Sequence, residues 1–510
     1  MKKKLSVIYI GSKSINLKIS QKEKDDMKIL EDTTFPINIG IDTFEDQLID
    51  YKNIKTICKI INRFKKLIKD YNILNIKLIA TTAIREAKNK EFIKDQIKLK
   101  TGLDLDIITD HKEKKLIYQG IEYILQKKHI KRKDYLFTYV GTGKFSLAYS
   151  KNNYILDYLN LNFGSIKLNQ ILSNLKNKTT TFSKEINKYL NSFRHILSEF
   201  IKKYKSKNLV LTGKEMNLLR KILKISSNEK IFKININEFN TIYKEFTNND
   251  LTNLASKYNL TIHEVEQLLT SLTIYFVILK FSEIKNIYCI NYSLEDIVLT
   301  KNLKLNTFIN IEKQFDKSIS KIAYNIGQKY NFDNKHATNV KKLALKLFDQ
   351  TKEIHGLNNR DRLLLEVSAL LHDIGKFISL QQHYKHSYNI LKEINIIGLS
   401  NEESRIIAYI SKYHSYKEIS LTKKLQINKK AKMKIFKITA LLKVADSLDR
   451  SHEQPIDNLT IKIKEENLKL LIHTYEDLEF EKWSLNSKSK LFKKIFGIKP
   501  IIETRSDFNG

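Results

Sequence analysis

The chain has 510 residues, 42% of them hydrophobic and 10% aromatic, and a formal net charge of +34, which describes a globular protein of roughly three domains of about 150 residues each. Its two cysteines, Cys58 and Cys289, exclude a disulfide framework and a cysteine-rich zinc site. No apolar stretch is read as reaching the roughly 20 residues that span a bilayer. The expected location is therefore cytoplasmic, with no membrane. The positive charge favours a polyanion through counterion release, but lysine is spread over the whole chain and does not identify the partner.

Met1-Lys2-Lys3-Lys4 reads as a basic tail entering a strand, since no small-residue cleavage site follows. Lys4–Ile10 and Leu17–Ser20 are predicted strands around a turn. Asp50–Tyr71 carries Ile54, Ile57, Ile60, Ile61, Phe64 and Ile68 at helical spacing. Ile76–Ala80 and Leu105–Ile108 follow as strands, and Lys112–Gln126 as a helix. Tyr135–Val140 and Phe145–Ser150 are again strands around a turn. This alternation predicts α/β architecture. From about Ile311 the pattern becomes helical: Ile319–Tyr330, Ala337–Thr351, Asp361–His372, His386–Glu393, Glu402–His414 and Ala431–Leu448. Asn401 is a candidate cap for the fifth of these. Leu459–Ile472 alternates like a strand, and a basic, loop-rich tail is expected after it. Pro36 and Pro500 are read as loop markers.

The first half contains an internal repeat. Tyr9-Ile10-Gly11-Ser12-Lys13 lines up with Tyr139-Val140-Gly141-Thr142-Gly143. Each is a strand followed by a glycine-hydroxyl loop, a shape that can aim backbone N–H groups at a phosphate. One such loop is an ordinary hairpin, whereas two in register suggest duplicated lobes with a ligand cleft between them.

In the second half, His372-Asp373 closes the apolar run Leu363–Leu371. A buried imidazole beside a buried carboxylate is costly unless something satisfies both, and a divalent metal does. His336, His383, His386, His414 and Asp446 lie at wide spacings on either side. Together these residues resemble the ordered ligand pattern of HD-domain metal phosphohydrolases. Mixed imidazole and carboxylate ligation suits Mg, Mn, Fe or Zn alike. His383 and His386 compete for one place. His386 is preferred, because His383 falls in the looser Gln381-Gln382-His383 stretch. His355 and His452 read as structural or surface residues.

Taken with the repeat, the chain resembles the exopolyphosphatase/guanosine pentaphosphatase (Ppx/GppA) family over nearly all its length. Gly11-Ser12 resembles the family's first phosphate loop. Ala80-Thr81-Thr82-Ala83-Ile84-Arg85-Glu86-Ala87 resembles its Ala-Thr-Ser-Ala-Val-Arg-Glu-Ala segment. Gly141 and Gly143 match the second loop, and Glu113 aligns with the water-activating glutamate. The resemblance implies two actin-like (ribonuclease H-like) lobes, 1–125 and 126–305, an all-α HD domain, 311–455, and a small extension, 456–510. It also implies a homodimer. Arg85 is implied as a phosphate contact and Glu113 as a base.

Departures accompany the matches. The two loop aspartates that hold Mg²⁺ in the family are Tyr9 and Tyr139 here, and the glutamate closing the second loop is Ser146. A phenol titrating near 10 does not hold Mg²⁺ at neutral pH. Lys13 and Lys144 stand at loop positions where ammonium groups could replace the metal's charge, or they are two more lysines on a lysine-rich surface. The reading is a phosphohydrolase acting on polyphosphate or a guanosine polyphosphate. Its working metal would be held by His336, His372, Asp373, His386, His414 and Asp446, with Asp373 bridging if two metals bind. Lys376 and Arg450 are candidate phosphate contacts. The competing reading is a binding protein without turnover. A nucleic-acid role has no aromatic signature in its favour.

Overall fold

The structure, a computed structural model, describes residues 3–504 apart from 131–133, 142–143, 162, 165–167, 169–181, 214, 227–228, 417–426, 428, 465 and 475. The chain divides into two compact units, Met1–Phe315 and Asp316–Gly510.

The first unit contains two sheets. In one, β1 (Lys4–Ile10), β2 (Ser14–Glu23), β3 (Asp26–Pro36), β4 (Ile76–Ala80) and β5 (Leu105–Ile107) lie in the order β3-β2-β1-β4-β5. The three-stranded meander is antiparallel, and β4 and β5 add in parallel. β3 was not expected. It is a largely exposed edge strand, so it lacks the apolar alternation that marks a half-buried one. Pro36 ends that edge strand, where a missing N–H costs nothing. Helix Tyr51–Asp70 buries Ile54, Ile57, Ile60, Ile61, Phe64 and Ile68, the six positions expected from spacing.

The second sheet holds β6 (Asp134–Val140), β7 (Phe145–Lys151), β8 (Tyr154–Leu161), β9 (Asn208–Thr212), β10 (Ile231–Ile234) and β11 (Asn286–Ile290), in the order β10-β11-β9-β6-β7-β8. From the β8 end this is the first sheet again, with β10 added antiparallel at the far edge. The two glycine loops close alike: Gly11 N–H donates to Ser14 O at 2.9 Å, and Gly141 N–H to Lys144 O at 2.8 Å. The sequence repeat thus reflects two lobes of one topology.

Helix Ile262–Lys280 corrects the reading of apolar length. It has 19 residues and is long and apolar enough, by length and composition alone, to cross a membrane. It is instead a core helix, burying Val265, Leu268, Leu272, Tyr275 and Ile278 in the second lobe.

Glu122, on helix Asp110–Lys127, is buried and accepts a hydrogen bond from Ser150 Oγ at 3.1 Å. Burial pushes its carboxyl up to about 7. A folded-state value above the unfolded one gives stability that is complete below about pH 4.5 and is lost as pH rises through 7, by roughly 3 kcal/mol at most. Glu122→Gln should therefore flatten the fall in melting temperature between pH 5 and pH 8. An unchanged slope would mean that the carboxyl is neutralised in another way.

In the second unit, helices Asn334–Gln350, Asn359–Leu371, His383–Glu393, Asn401–Tyr413 and Lys429–Ser447 follow helix Asn306–Lys329, within which the division of the chain falls. The cap of the fourth is Ser400, in a reciprocal capping box with Glu403, and not Asn401. The expected loop-rich tail is also corrected. After the hairpin β12 (Asn458–Lys464) and β13 (Asn467–His473) come helices Glu479–Lys488 and Lys490–Phe496. Strand β14 (Lys499–Thr504) then pairs in parallel with β13. Lysines punctuate these segments in sequence, yet Leu485, Leu491, Phe492 and Pro500 face inward.

Candidate functional site

Residues following the carboxyl ends of β1, β4, β5, β6 and β9 carry the predicted phosphate cleft, the end at which α/β sheets present ligands. Gly11 and Ser12 are buried in the first loop. Gly40 is what lets the chain pack there: its N–H donates to Ser12 O at 2.9 Å, and a Cβ on it would lie 2.8 Å from Ser12 Cβ. Thr82–Glu86 is a short helix after β4. From it Arg85 Nη1 donates to Glu113 Oε2 at 2.8 Å and to Ile108 O at 2.9 Å, and Nη2 donates to Thr82 Oγ1 at 3.0 Å.

Tyr9 and Tyr139, the tyrosines at the positions expected of loop aspartates, both point into this network. Tyr139 Oη donates to Glu113 Oε1 at 2.9 Å, and Tyr9 Oη shares a hydrogen bond of 2.8 Å with Thr81 Oγ1. Burial, reinforced by Glu113, drives both phenols above their ordinary range, so they stay protonated. Each oxygen of Glu113 is therefore occupied, one by a guanidinium and one by a phenol. Ser146 Oγ, at the position expected of the loop-closing glutamate, donates to Asn160 Oδ1 at 2.7 Å.

The lysines are also engaged. Lys13 Nζ donates to Gln267 Oε1 of the second lobe at 2.7 Å. Lys144 lies 3.2 Å from Asp110, whose carboxylate also pairs with Lys114 at 3.0 Å. Gly143 lies outside the described residues. Sequence reasoning missed Asp110, although it stands three residues before Glu113 in the first turn of the same helix. It also missed Glu215, which accepts from Tyr275 Oη at 2.7 Å and is pushed up to about 7 by burial. Magnesium-dependent phosphate release from long polyphosphate at this cleft is expected to be absent. Robust release that is abolished by Glu113→Ala and retained in Asp373→Ala would contradict this.

The second candidate site gathers residues from five helix ends. His336 is in the first turn of Asn334–Gln350, His372 caps Asn359–Leu371 and His414 caps Asn401–Tyr413. Asp373 follows His372, His383 opens its helix, and Asp446 lies near the end of Lys429–Ser447. His336, His372 and Asp373 form one group of donor atoms, and Asp373, His383 and His414 a second, each within 4.8 Å. Asp373 Oδ1 lies 3.2 Å from Nε2 of both His383 and His414. Asp446 Oδ1 lies 3.5 Å from His336 Nε2 and 3.7 Å from His372 Nε2.

The ligand reading of His386 is corrected by this geometry: His383 occupies the place. Three residues further along a helix is about 4.5 Å of rise, which carries His386 past Asp373. Gly375 sets the position. Its N–H donates to Ser387 Oγ at 2.9 Å, and a Cβ there would lie 2.1 Å from His383 O. Only a glycine lets the helix bearing His383 come down onto the His-Asp turn.

All four imidazoles are oriented by Nδ1, His383 through Leu380 O at 3.2 Å. His336 Nδ1 bonds Asp449 Oδ2 at 2.7 Å, His372 Nδ1 bonds Ala369 O at 2.8 Å, and His414 Nδ1 bonds Ser411 O at 2.6 Å. Each Nε2 is thereby turned to the centre, the arrangement that outer partners impose on metal-binding histidines. Ser415 Oγ lies 2.8 Å from His414 Nε2 and 3.2 Å from His383 Nε2. His336 Nε2, His372 Nε2 and Asp373 Oδ1 are buried without a hydrogen-bond partner. Orphaned buried polar atoms require an explanation, and a divalent cation fits a donor set of four imidazoles and two carboxylates. Burial drives His372 down to about 4, keeping its lone pair available. Burial opposes protonation of His336, but Asp446 and Asp449 outweigh it and push it up to about 9, so a metal competes with a proton there.

Around the centre, Lys376 Nζ lies 2.5 Å from Asp373 Oδ2, and Lys488 pairs with Asp446 Oδ2. Arg450 is exposed just past Asp449. His355 is buried, with Nε2 2.9 Å from Phe348 O. His452 stacks on His336 with ring centroids 3.8 Å apart. Sequence reasoning missed Asp449, although it sits three residues after Asp446. It also missed Lys488, for which no local pattern exists.

Comparison with known proteins gives two family matches: the Ppx/GppA phosphatase family over residues 18–304, and Ppx/GppA phosphatase domain III over residues 319–492. A guanosine-5'-triphosphate,3'-diphosphate pyrophosphatase from Pseudoalteromonas translucida is 23% identical over 423 residues, 80% of each chain. A bifunctional 3-dehydroquinate synthase/phosphatase from Fusobacterium nucleatum is 25% identical over 190 residues, 35% of this chain and 27% of that one. The crystal structure of an exopolyphosphatase from Cytophaga hutchinsonii shares the fold, with a TM-score of 0.52 and 16% identity, covering 59% of this chain and 98% of that one. With the first match alone spanning more than half of its residues, the chain belongs to the Ppx/GppA phosphatase family.

Proposed function

We propose that the chain is a phosphohydrolase of phosphoanhydrides, with polyphosphate or a guanosine polyphosphate as substrate, whose metal-dependent chemistry belongs to an HD-type centre in the second unit. The observation that carries this is the pair of donor groups sharing Asp373, with three buried atoms left without partners. His336, His372, Asp373 and Asp446 would hold one divalent metal, and Asp373, His383 and His414 a second. Such a metal lowers the pKa of bound water and stabilises charge on phosphoryl oxygens. The chain's own residues do the rest. Asp449, Ala369 O and Ser411 O fix three imidazoles. Lys376, half-exposed beside Asp373, supplies an ammonium to a phosphate.

A second reading concerns the cleft of the first unit, which we infer to bind a phosphate chain without hydrolysing it. It is favoured by Glu113, whose two oxygens are taken by Arg85 and Tyr139. The test of both is a phosphate-release screen over polyphosphate, guanosine pentaphosphate and simple nucleotides with metal-loaded protein. Release should be lost in Asp373→Ala and kept in Glu113→Ala. Activity that survives Asp373→Ala would move the chemistry out of the second unit.

A further inference from the structure

The helix Glu479–Lys488 is inside out. Its buried residues are Glu481, Ser484 and Leu485, while Phe480 is 70% exposed and Trp483 66%. Glu481 is held inside by Ser451, whose N–H and Oγ donate to its carboxylate at 3.0 and 2.8 Å. The helix is thus locked with Glu481 and Ser484 inward beside Leu485, and its two largest apolar side chains, one turn apart, face outward. A soluble helix normally shows the reverse. Exposed aromatic pairs of this kind mark a surface that something covers.

The surroundings indicate what covers it. Ser489, in right-handed helical conformation, joins this helix to Lys490–Phe496. Glu476 and Asp477 are exposed before the helix and Glu479 pairs with Lys482 at 3.1 Å, but beyond them Lys490, Lys493 and Lys494 are exposed along the second helix, and Lys499 follows at the start of β14. Trp483 and Lys490 are seven residues apart, about 10 Å along a continuing helix. A flat anionic surface with an apolar interior accepts both parts, with tryptophan and phenylalanine at the headgroup boundary and lysines on the phosphates. We propose that the Phe480–Trp483 face docks the chain peripherally on an anionic lipid bilayer, with no segment crossing it.

Trp483 is the single tryptophan of the chain, so its emission reports this face alone. The full-length protein would be mixed with vesicles of phosphatidylcholine, with or without phosphatidylserine, and followed by Trp emission and by flotation. Phosphatidylserine vesicles should shift the emission to the blue, shield it from a soluble quencher and float the protein, while phosphatidylcholine alone should not. Lys490→Ala, Lys493→Ala and Lys494→Ala should each weaken binding about fivefold at low salt. Phe480→Ser should weaken it further while leaving the emission of the free protein that of an exposed indole. Emission unmoved by any vesicle overturns the proposal. So does a blue shift that tracks protein concentration without lipid, which would assign the face to self-association, or one produced only by an acidic protein.

Discussion

Replacing Asp373 by alanine should empty both halves of the histidine–aspartate centre, whereas His414→Ala should empty one. Asp373 is the only residue common to the two groups of donor atoms, and its Oδ1 is 3.2 Å from both His383 and His414. Outer-sphere substitutions at metal sites typically cost about 10–100-fold in affinity, and Asp449→Asn, which touches His336 only through Nδ1, is expected in that range. Loss of a shared ligand should exceed it. Elemental analysis after gentle purification, with calorimetric titration of Mn²⁺ or Zn²⁺ into metal-free protein, separates the cases. Equal metal content in wild type and Asp373→Ala would remove the basis for chemistry at this centre.

Gly375→Ala should have the largest effect of any single added methyl group in this unit. The new Cβ would meet two backbone atoms, His383 O at 2.1 Å and Ser387 N at 2.3 Å. No side chain can swing aside to relieve this. The helix His383–Glu393 must move, taking with it His383 and the hydrogen bond from Gly375 to Ser387. Overpacking of this kind costs about 1–3 kcal/mol. The expected result is a lower melting temperature, with metal lost from the His383 and His414 half and retained by His336, His372 and Asp446. A variant with wild-type melting and full metal content would show that the helix tolerates the displacement. The cleft of the first unit, which shares no residue with this centre, should bind polyphosphate as before.

The sequence by itself determined the periodic elements and the local motifs. Helix Tyr51–Asp70 was legible because six apolar residues recur at one spacing, and β4 because its run is short and bounded. The repeated glycine loops announced two lobes because two strand-and-turn segments line up residue by residue, and in the structure both hairpins close with the same hydrogen bond. His336, His372, Asp373, His414 and Asp446 could be named because they follow in order the ligand pattern the chain resembles, with His372-Asp373 closing an apolar run, a place where a buried polar group needs a purpose. Tertiary structure alone decided the rest. It chose His383 over His386, since the choice depends on how closely one helix approaches Gly375, a distance that no local spacing contains. It joined Tyr139 and Arg85 to Glu113, turning an expected base into the acceptor of two hydrogen bonds. It brought Lys488 from the C-terminal helices to Asp446, 42 residues away in sequence. It also turned Phe480 and Trp483 outward by burying Glu481 against Ser451. The physical reason is common to all four. Periodicity records which side chains share a face, but which face meets which neighbour is settled by packing between segments distant in the chain.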